Sequence, residues 1–368
     1  MHIGIPKEIK TQENRVGLTP AAVEQLVRSG HAVSVEHHAG LGSGYADTEY
    51  ANAGATLADA TTVWAADLIV KVKEPQPAEI ARLTPTQTLF CYLHLAPDVA
   101  QTDGLLASGC TAIAFETVTD NAGRLPLLAP MSEVAGCLAP QVGAQALHTW
   151  RGGRGVLMGG VPGVAPADVL VLGGGVVGTQ AAKVALGMGA DVTILDRDLN
   201  RLKALDVQFG GRVKTAHAGL LHSLMRESDM IIGAVLIPGA KAPHLVKRAD
   251  LADLRAGCVL VDVAIDQGGC FETSHATTHS DPTYVIDGVV HYCVANMPGA
   301  VARTSTQALT AAVLPYAQRL ADQGWQAALA ADAGLAKGLN VHAHALYEAQ
   351  VAAVQGKIAQ TFHCHTTA

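Results

Sequence analysis

The chain has 368 residues, of which 49% are hydrophobic, 15% charged and 4% aromatic, with 38 glycines and a formal net charge of −7. Length and apolar content suit about two packed domains of ~150 to 200 residues, and scarce aromatics with many glycines favour buried parallel strands over an all-β sandwich. The acidic balance, without a long Lys/Arg block, argues against a nucleic-acid partner, and no apolar run approaches the ~18 residues of a membrane span.

Short apolar runs alternate with helical patterns from the first residue to about 300. In the first part the expected strands are 2–6, 32–36, 67–72, 88–94 and 111–116. A helical pattern follows Pro130, with Ser132 as its expected cap and Val134, Leu138 and Val142 on one face. The glycine-rich stretch 152–163 lacks the Gly-Lys-Ser/Thr ending of a phosphate loop and reads as a linker or turn. A second series then begins, with strands expected at 169–172, 191–196, 230–233, 259–264, 283–286 and 292–295. Such alternation predicts doubly wound parallel sheets, hence an α/β protein with two Rossmann-like domains. From about Ser305 the pattern is helical, with a kink expected at Pro315. Those last ~60 residues are too few for a core of their own, so they are expected to pack on the first domain. The expected division is 1–128 plus 305–368 for one domain and 129–304 for the other.

The motif Gly173-Gly174-Gly175-Val176-Val177-Gly178 reads G-x-G-x-x-G. Alone it is a weak signal in so glycine-rich a chain. Here it directly follows an apolar strand, opens the helical run 179–187, and is followed by a strand ending on Asp196. That context marks a dinucleotide-binding unit. Gly173 allows the tight turn, Gly175 lets backbone amides approach a pyrophosphate, and Gly178 lets helix and strand pack closely. Asp196 is placed to accept from both ribose hydroxyls and to repel a 2′-phosphate, which points to NAD rather than NADP.

Isolated polar residues fall at the ends of apolar runs, which is where ligands bind in open α/β sheets. Arg15 lies after the first strand, Lys73 ends the third with Lys71 on the same face, and His94 and Glu116 end the next two. In the second series Asp266 and Asn296 hold corresponding places. Each alone has an ordinary explanation, as a solvated charge, a satisfied core histidine or a turn cap. Together they describe a cleft with two cations, an imidazole and a carboxylate, suited to a small carboxylate substrate that exchanges protons.

With these residues aligned, the chain resembles the alanine dehydrogenase family, related to the NAD-binding subunit of proton-translocating transhydrogenase. The shared segments include Gly4-Ile-Pro-Lys-Glu8, Glu13-Asn-Arg-Val-Gly-Leu-Thr-Pro20, Lys71-Val-Lys-Glu-Pro75, Leu93-His-Leu95 and Leu127-Leu-Ala-Pro-Met-Ser-Glu-Val-Ala-Gly136. They continue in order with 158–164, 233–243, Asp262-Val-Ala-Ile-Asp-Gln-Gly-Gly-Cys270 and Cys293-Val-Ala-Asn-Met-Pro298. The resemblance implies reversible oxidative deamination of L-alanine to pyruvate and ammonium with hydride transfer to NAD, in a hexamer. It implies Arg15 and Lys73 as substrate-binding residues and His94 and Asp266 as catalytic ones. Its NAD contacts fall on Ser132, Val176, Val177, Asp196, Arg201, Val235, Leu236, Val263, Ala264, Ile265, Asp266, Val294, Ala295, Asn296 and Met297. Two positions depart from the family pattern: Ala218 replaces an adenosine-contacting serine, and His275 stands at the place of a basic residue. The alternatives are a transhydrogenase-type NAD-binding subunit, a related imine-forming dehydrogenase, or a reductase acting without ammonia.

The amino terminus MHIGIPKEIK has no secretory pattern, and seven irregularly spaced cysteines do not form a disulfide framework, so a reducing cytoplasm is expected. The tail His363-Cys364-His365 reads as a frayed end, and no metal site is expected.

Overall fold

A computed structural model describes residues 1–235 and 243–362. Leu236 and the His363-Cys364-His365 tail lie outside the described residues. The chain divides into two compact units, 1–131 with 301–368, and 132–300.

The first unit holds strands β1 (His2–Ile5), β2 (Ala32–Glu36), β3 (Thr56–Ala58), β4 (Leu68–Val70), β5 (Thr88–Cys91) and β6 (Thr111–Ala114). The second holds β7 (Asp168–Leu172), β8 (Asp191–Asp196), β9 (Lys214–His217), β10 (Met230–Gly233), β11 (Val259–Asp262), β12 (Thr283–Ile286) and β13 (Val289–Tyr292). β14 (Leu339–His342) and β15 (Ala345–Leu346) return to the first unit. Its sheet runs β15-β14-β6-β5-β4-β1-β2-β3, and the sheet of the second runs β12-β13-β11-β10-β7-β8-β9. β1 to β6 pair in parallel, as do β7 to β11 with β13, while β12, β14 and β15 pair antiparallel at the edges. Each unit thus repeats the doubly wound order 3-2-1-4-5-6, with a switch point beside its first strand. The sequence expectation of two such sheets holds.

Side-chain alternation builds the cores. In β7, Val169 and Val171 join one apolar cluster with Ala181, Ala182 and Ala185 of the helix Val176–Gly187, whereas Leu170 and Leu172 join the cluster on the other face with Leu260 and Phe271. Both faces are covered, which is why these parallel strands read as continuous apolar runs.

Several boundaries differ from expectation. The helix after β6 spans Ala129–Ala146, so Ser132 is inside its first turn and is no cap. Pro130 sits where a missing N–H costs nothing and does not stop that helix. The strand expected at 292–295 is β13, three residues earlier, because Asp287 and Gly288 (φ 50° and 79°) form the hairpin turn after β12. The long helix Ala302–Ala331 is interrupted at Gly324 (φ 75°, ψ 157°), while Pro315 lies within it.

Candidate active site

Within each unit most of the described residues expected from sequence follow the carboxyl ends of parallel strands, whereas Ser132 lies in the helix Ala129–Ala146 and Arg201 in the helix Leu199–Phe209. In the first unit, β1 pairs with β4, β4 with β5 and β5 with β6, with Cys91 opposite Ala114. Arg15, Lys73, His94 and Glu116 follow those four strands on one edge of the sheet.

Arg15 is buried, 3% exposed. Its Nε and Nη2 donate to the two Glu13 carboxylate oxygens at 2.7 and 2.5 Å, its backbone N–H donates to Glu13 Oε1, and Nη1 meets Met131 Sδ at 3.1 Å. Burial alone would lower the guanidinium pKa, but the hydrogen bonds and charge of Glu13 outweigh it and hold the value above the ordinary one. Lys73 is half-buried, its backbone fixed on both sides. Its N–H points to Glu8 Oε1 at 3.3 Å, and its carbonyl accepts from Lys71 Nζ at 2.9 Å. Lys71, by contrast, is buried among carboxylates. Its side chain is 1% exposed and pairs with Glu8 (2.9 Å) and Glu79 (3.5 Å).

His94 is exposed and has a left-handed backbone, φ 48°. Its ring lies parallel to that of Tyr92 with centroids 5.7 Å apart. Tyr92 is buried, donates to Leu127 O at 2.6 Å, and is near enough to Arg15 for each to influence the ionisation of the other. Glu116 accepts from the backbone N–H groups of Leu93 and His94. Arg15, Tyr92, His94 and Glu116 therefore belong to one neighbourhood.

In the second unit the register places Leu172 beside both Leu195 and Gly233, and Gly233 beside Asp262. The Gly173 turn, Asp196, Val235 and the 263–266 segment thus lie at one sheet edge. Gly173 has φ 98°, and a Cβ on Gly178 would stand 1.8 Å from Gly173 O, so neither position admits another residue without rearrangement. A Cβ on Gly175 would meet nothing within 4 Å, and Gly175 leads into the helix Val176–Gly187 with no side chain capping it. This is an open cradle at a helix amino terminus, which fits an anionic pyrophosphate. Val176 is exposed and Val177 buried. Asp196 is half-buried and accepts from Gly174 N–H (2.7 Å) and Asp198 N–H (2.9 Å). Arg201 ties the same loop to the helix, through Gly174 O and Thr179 Oγ1.

Asp266 is exposed in a short 3-10 turn, Ile265–Gln267, closed by Gly268 (φ 94°). Beneath that turn the fully buried Asp262 accepts from Ala264 N, Cys270 N and Ser274 Oγ at 3.1, 2.8 and 2.5 Å. Burial raises the Asp262 pKa, against those hydrogen bonds. Val294 to Met297 follow β13, with Asn296 at φ 62°. Ala218 begins an exposed turn after β9, and the ring of His275 stacks on Tyr284 at 3.7 Å. Glu8, Glu13, Tyr92 and Asp262 were not singled out from sequence as site residues. Glu8 pairs with Lys71, 63 positions away, and Asp262 accepts mainly from backbone groups, neither of which leaves a local pattern; Glu13 lies two residues from Arg15, a proximity that is the one local signal among them. Among the described residues no group of three or more His, Cys, Asp or Glu could hold a metal ion.

The models of the alanine dehydrogenase/PNT amino-terminal and carboxyl-terminal domains match residues 4–135 and 139–349. An alanine dehydrogenase of Halomonas elongata is 60% identical over 93% of each chain, and that of Mycobacterium tuberculosis 54% identical over 96% of each. A solved L-alanine dehydrogenase superposes with a TM-score of 0.94 at 52% identity, covering 97% of this chain and 99% of its own. A transhydrogenase structure from Sinorhizobium meliloti gives 0.80 at 26% identity, covering 94% and 98%. With both halves matched in order and identity to the alanine dehydrogenases about twice that to the transhydrogenase, the chain belongs to the alanine dehydrogenase/PNT family.

Proposed function

We propose that this protein catalyses the reversible NAD-dependent oxidative deamination of L-alanine to pyruvate and ammonium. The observation that carries the reading is the grouping of Arg15, Lys73 and His94 at one sheet edge of the first unit, which a subunit serving only to hold a dinucleotide does not need. In this reading residues 1–131 with 301–368 bind the amino acid and residues 132–300 bind the coenzyme.

Arg15 binds the substrate carboxylate. Glu13 holds the guanidinium at Nε and Nη2, and the fixed positive charge so oriented forms a charge-assisted pair with the carboxylate. Lys73 binds the carboxylate as well and polarises the carbonyl of pyruvate from a backbone that Glu8 and Lys71 hold still. NAD, when bound, accepts two electrons and the α-hydrogen of the amino acid. His94 passes protons to and from the carbinolamine oxygen as water adds and ammonium leaves. The likeness to the family assigns Asp266 a catalytic role as well.

For the coenzyme, the Gly173, Gly175 and Gly178 turn and the amides of Val176 and Val177 take the pyrophosphate, and Asp196 takes the ribose hydroxyls, which favours NAD over NADP. Arg201 braces the loop, and the likeness to the family adds Ser132, Val235, Leu236, Val263–Asp266 and Val294–Met297 as coenzyme contacts. The likeness to the family extends the proposal to a cytoplasmic hexamer. Six cysteines unpaired among the described residues suit a reducing compartment, and no described helix is long and apolar enough to cross a membrane.

The deciding assay follows NADH oxidation with pyruvate, with and without ammonium. Ammonium-dependent turnover is expected; a rate indifferent to ammonium overturns the alanine reading.

A further inference from the structure

His94 does not hold its position by itself. Its φ of 48° is a left-handed conformation that side chains other than glycine rarely adopt, and it occurs just beyond the end of β5. In an extended strand successive N–H groups point to opposite sides, so no single group can accept from both. Beyond the end of β5 the chain leaves that extended pattern at Leu93, so the Leu93 and His94 amides turn toward a common point and form a concavity that binds an anion. Here that anion is a side chain of the same chain. The Glu116 carboxylate receives Leu93 N–H at 3.1 and 3.2 Å through its two oxygens and His94 N–H at 2.6 Å.

The opposite side of the peptide is held too. The Leu93 carbonyl accepts from Gln101 Nε2 at 2.8 Å. Glu116 itself sits on the short 3-10 turn Phe115–Thr117 directly after β6, the neighbour of β5 in the sheet. Phe115 packs edge-on against Tyr92, whose ring in turn stacks on that of His94. One turn therefore supplies both a carboxylate for the backbone of His94 and support for the ring beneath it.

We infer that Glu116 is a positioning residue: by binding the Leu93 and His94 amides it fixes the peptide from which His94, in its left-handed conformation, presents the imidazole for proton transfer. This rests on the proposed proton-transfer role of His94. Glutamine at 116 keeps the volume but turns one oxygen into a donor, which must face the Leu93 N–H or surrender the His94 contact. Displacing a reacting group by a fraction of an ångström lowers turnover without weakening ground-state binding.

The test is a double-mutant cycle on pyruvate amination with Glu116→Gln, His94→Ala and the pair. H94A is expected to lower kcat by about a hundredfold or more. E116Q is expected to lower kcat about tenfold, with the KM values for pyruvate and NADH within about twofold of the parent. In the H94A background E116Q should cost less than about twofold, because there is no imidazole left to position. Loss from E116Q that persists undiminished in H94A overturns the positioning role alone. Near-normal turnover of H94A overturns the role of His94 itself. Should E116Q fail to fold, Gln101→Met releases the same peptide from the other side. A loss of about threefold that disappears in H94A is then expected, and an additive loss overturns the inference.

Discussion

The two units share one strand order but build their ligand-facing edges from different materials. The first concentrates charge: Arg15 with Glu13, and Lys71 with Glu8 and Glu79, are buried ion groups whose carboxylates also hold backbone amides. The second relies on backbone shape, with glycines at 173, 175 and 178 and an uncapped helix end. A small anion offers little surface, so its site must be made of fixed opposite charge. A dinucleotide offers a long surface, and a turn of the right shape suffices for its phosphates.

The contrast can be broken most severely at Arg15. Arg15→Met takes from the buried Glu13 the cation that meets both its oxygens, and a loss of about 3–5 kcal/mol in unfolding free energy is expected with a large rise in pyruvate KM. Neutralising the partner as well, in Arg15→Met with Glu13→Leu, should restore much of the stability but none of the pyruvate binding. Denaturant midpoints unchanged in R15M would mean that the buried charges do not hold the first unit's edge.

In the second unit the corresponding strike is steric. Gly178→Ala places a methyl against Gly173 O and should cost about 1–3 kcal/mol, with NADH binding lost alongside. Gly175→Ala enters open space and should leave the thermal midpoint nearly unchanged while still weakening NADH in a fluorescence titration. Equal stability losses in the two variants would refute a division between packing glycine and ligand-facing glycine. Asp196→Ser tests the charge set against the ribose: NADH KM should rise about tenfold, and NADPH should become usable.

The smallest effect concerns pH. His291 is buried, which lowers its pKa below the ordinary value near 6.5, and its Nε2 pairs with Thr273 Oγ1. The unfolded chain takes up the proton more readily. Stability is therefore complete above pH about 6.5 and declines as pH falls through that value toward the lower folded one. His291→Phe keeps a ring against Tyr284 and should flatten the thermal midpoint between pH 7 and 5. An unchanged slope would assign that acid sensitivity elsewhere.

How much of this was legible in the sequence depended on whether the cause was local. β2, β8 and β10 begin and end where their apolar runs do, since strands buried on both faces carry their own signal. β3 and β9 escaped notice as short, partly polar edge strands. β14 and β15 escaped because Ala343 and His344 turn between them at φ 47° and 65° without the usual Asn-Gly signal. Arg15, Lys73 and His94 were visible as polar residues after apolar runs. Glu8 was not seen as part of the site, because its meaning comes from Lys71, 63 positions away. Asp262 reads as part of an apolar strand, and its task is to bind amides that any sequence would supply.

The late return of β14 has a consequence for synthesis on the ribosome. β6 is buried throughout, and one of its edges is covered by a strand made of residues 339–342. At about 5–20 residues per second that cover arrives on the order of ten to forty seconds after β6 is made. All of 132–300 emerges in the interval, so the second unit is fully translated before the first can be completed. Until then the nascent chain carries an open apolar strand edge, which is where a chaperone would have most to protect.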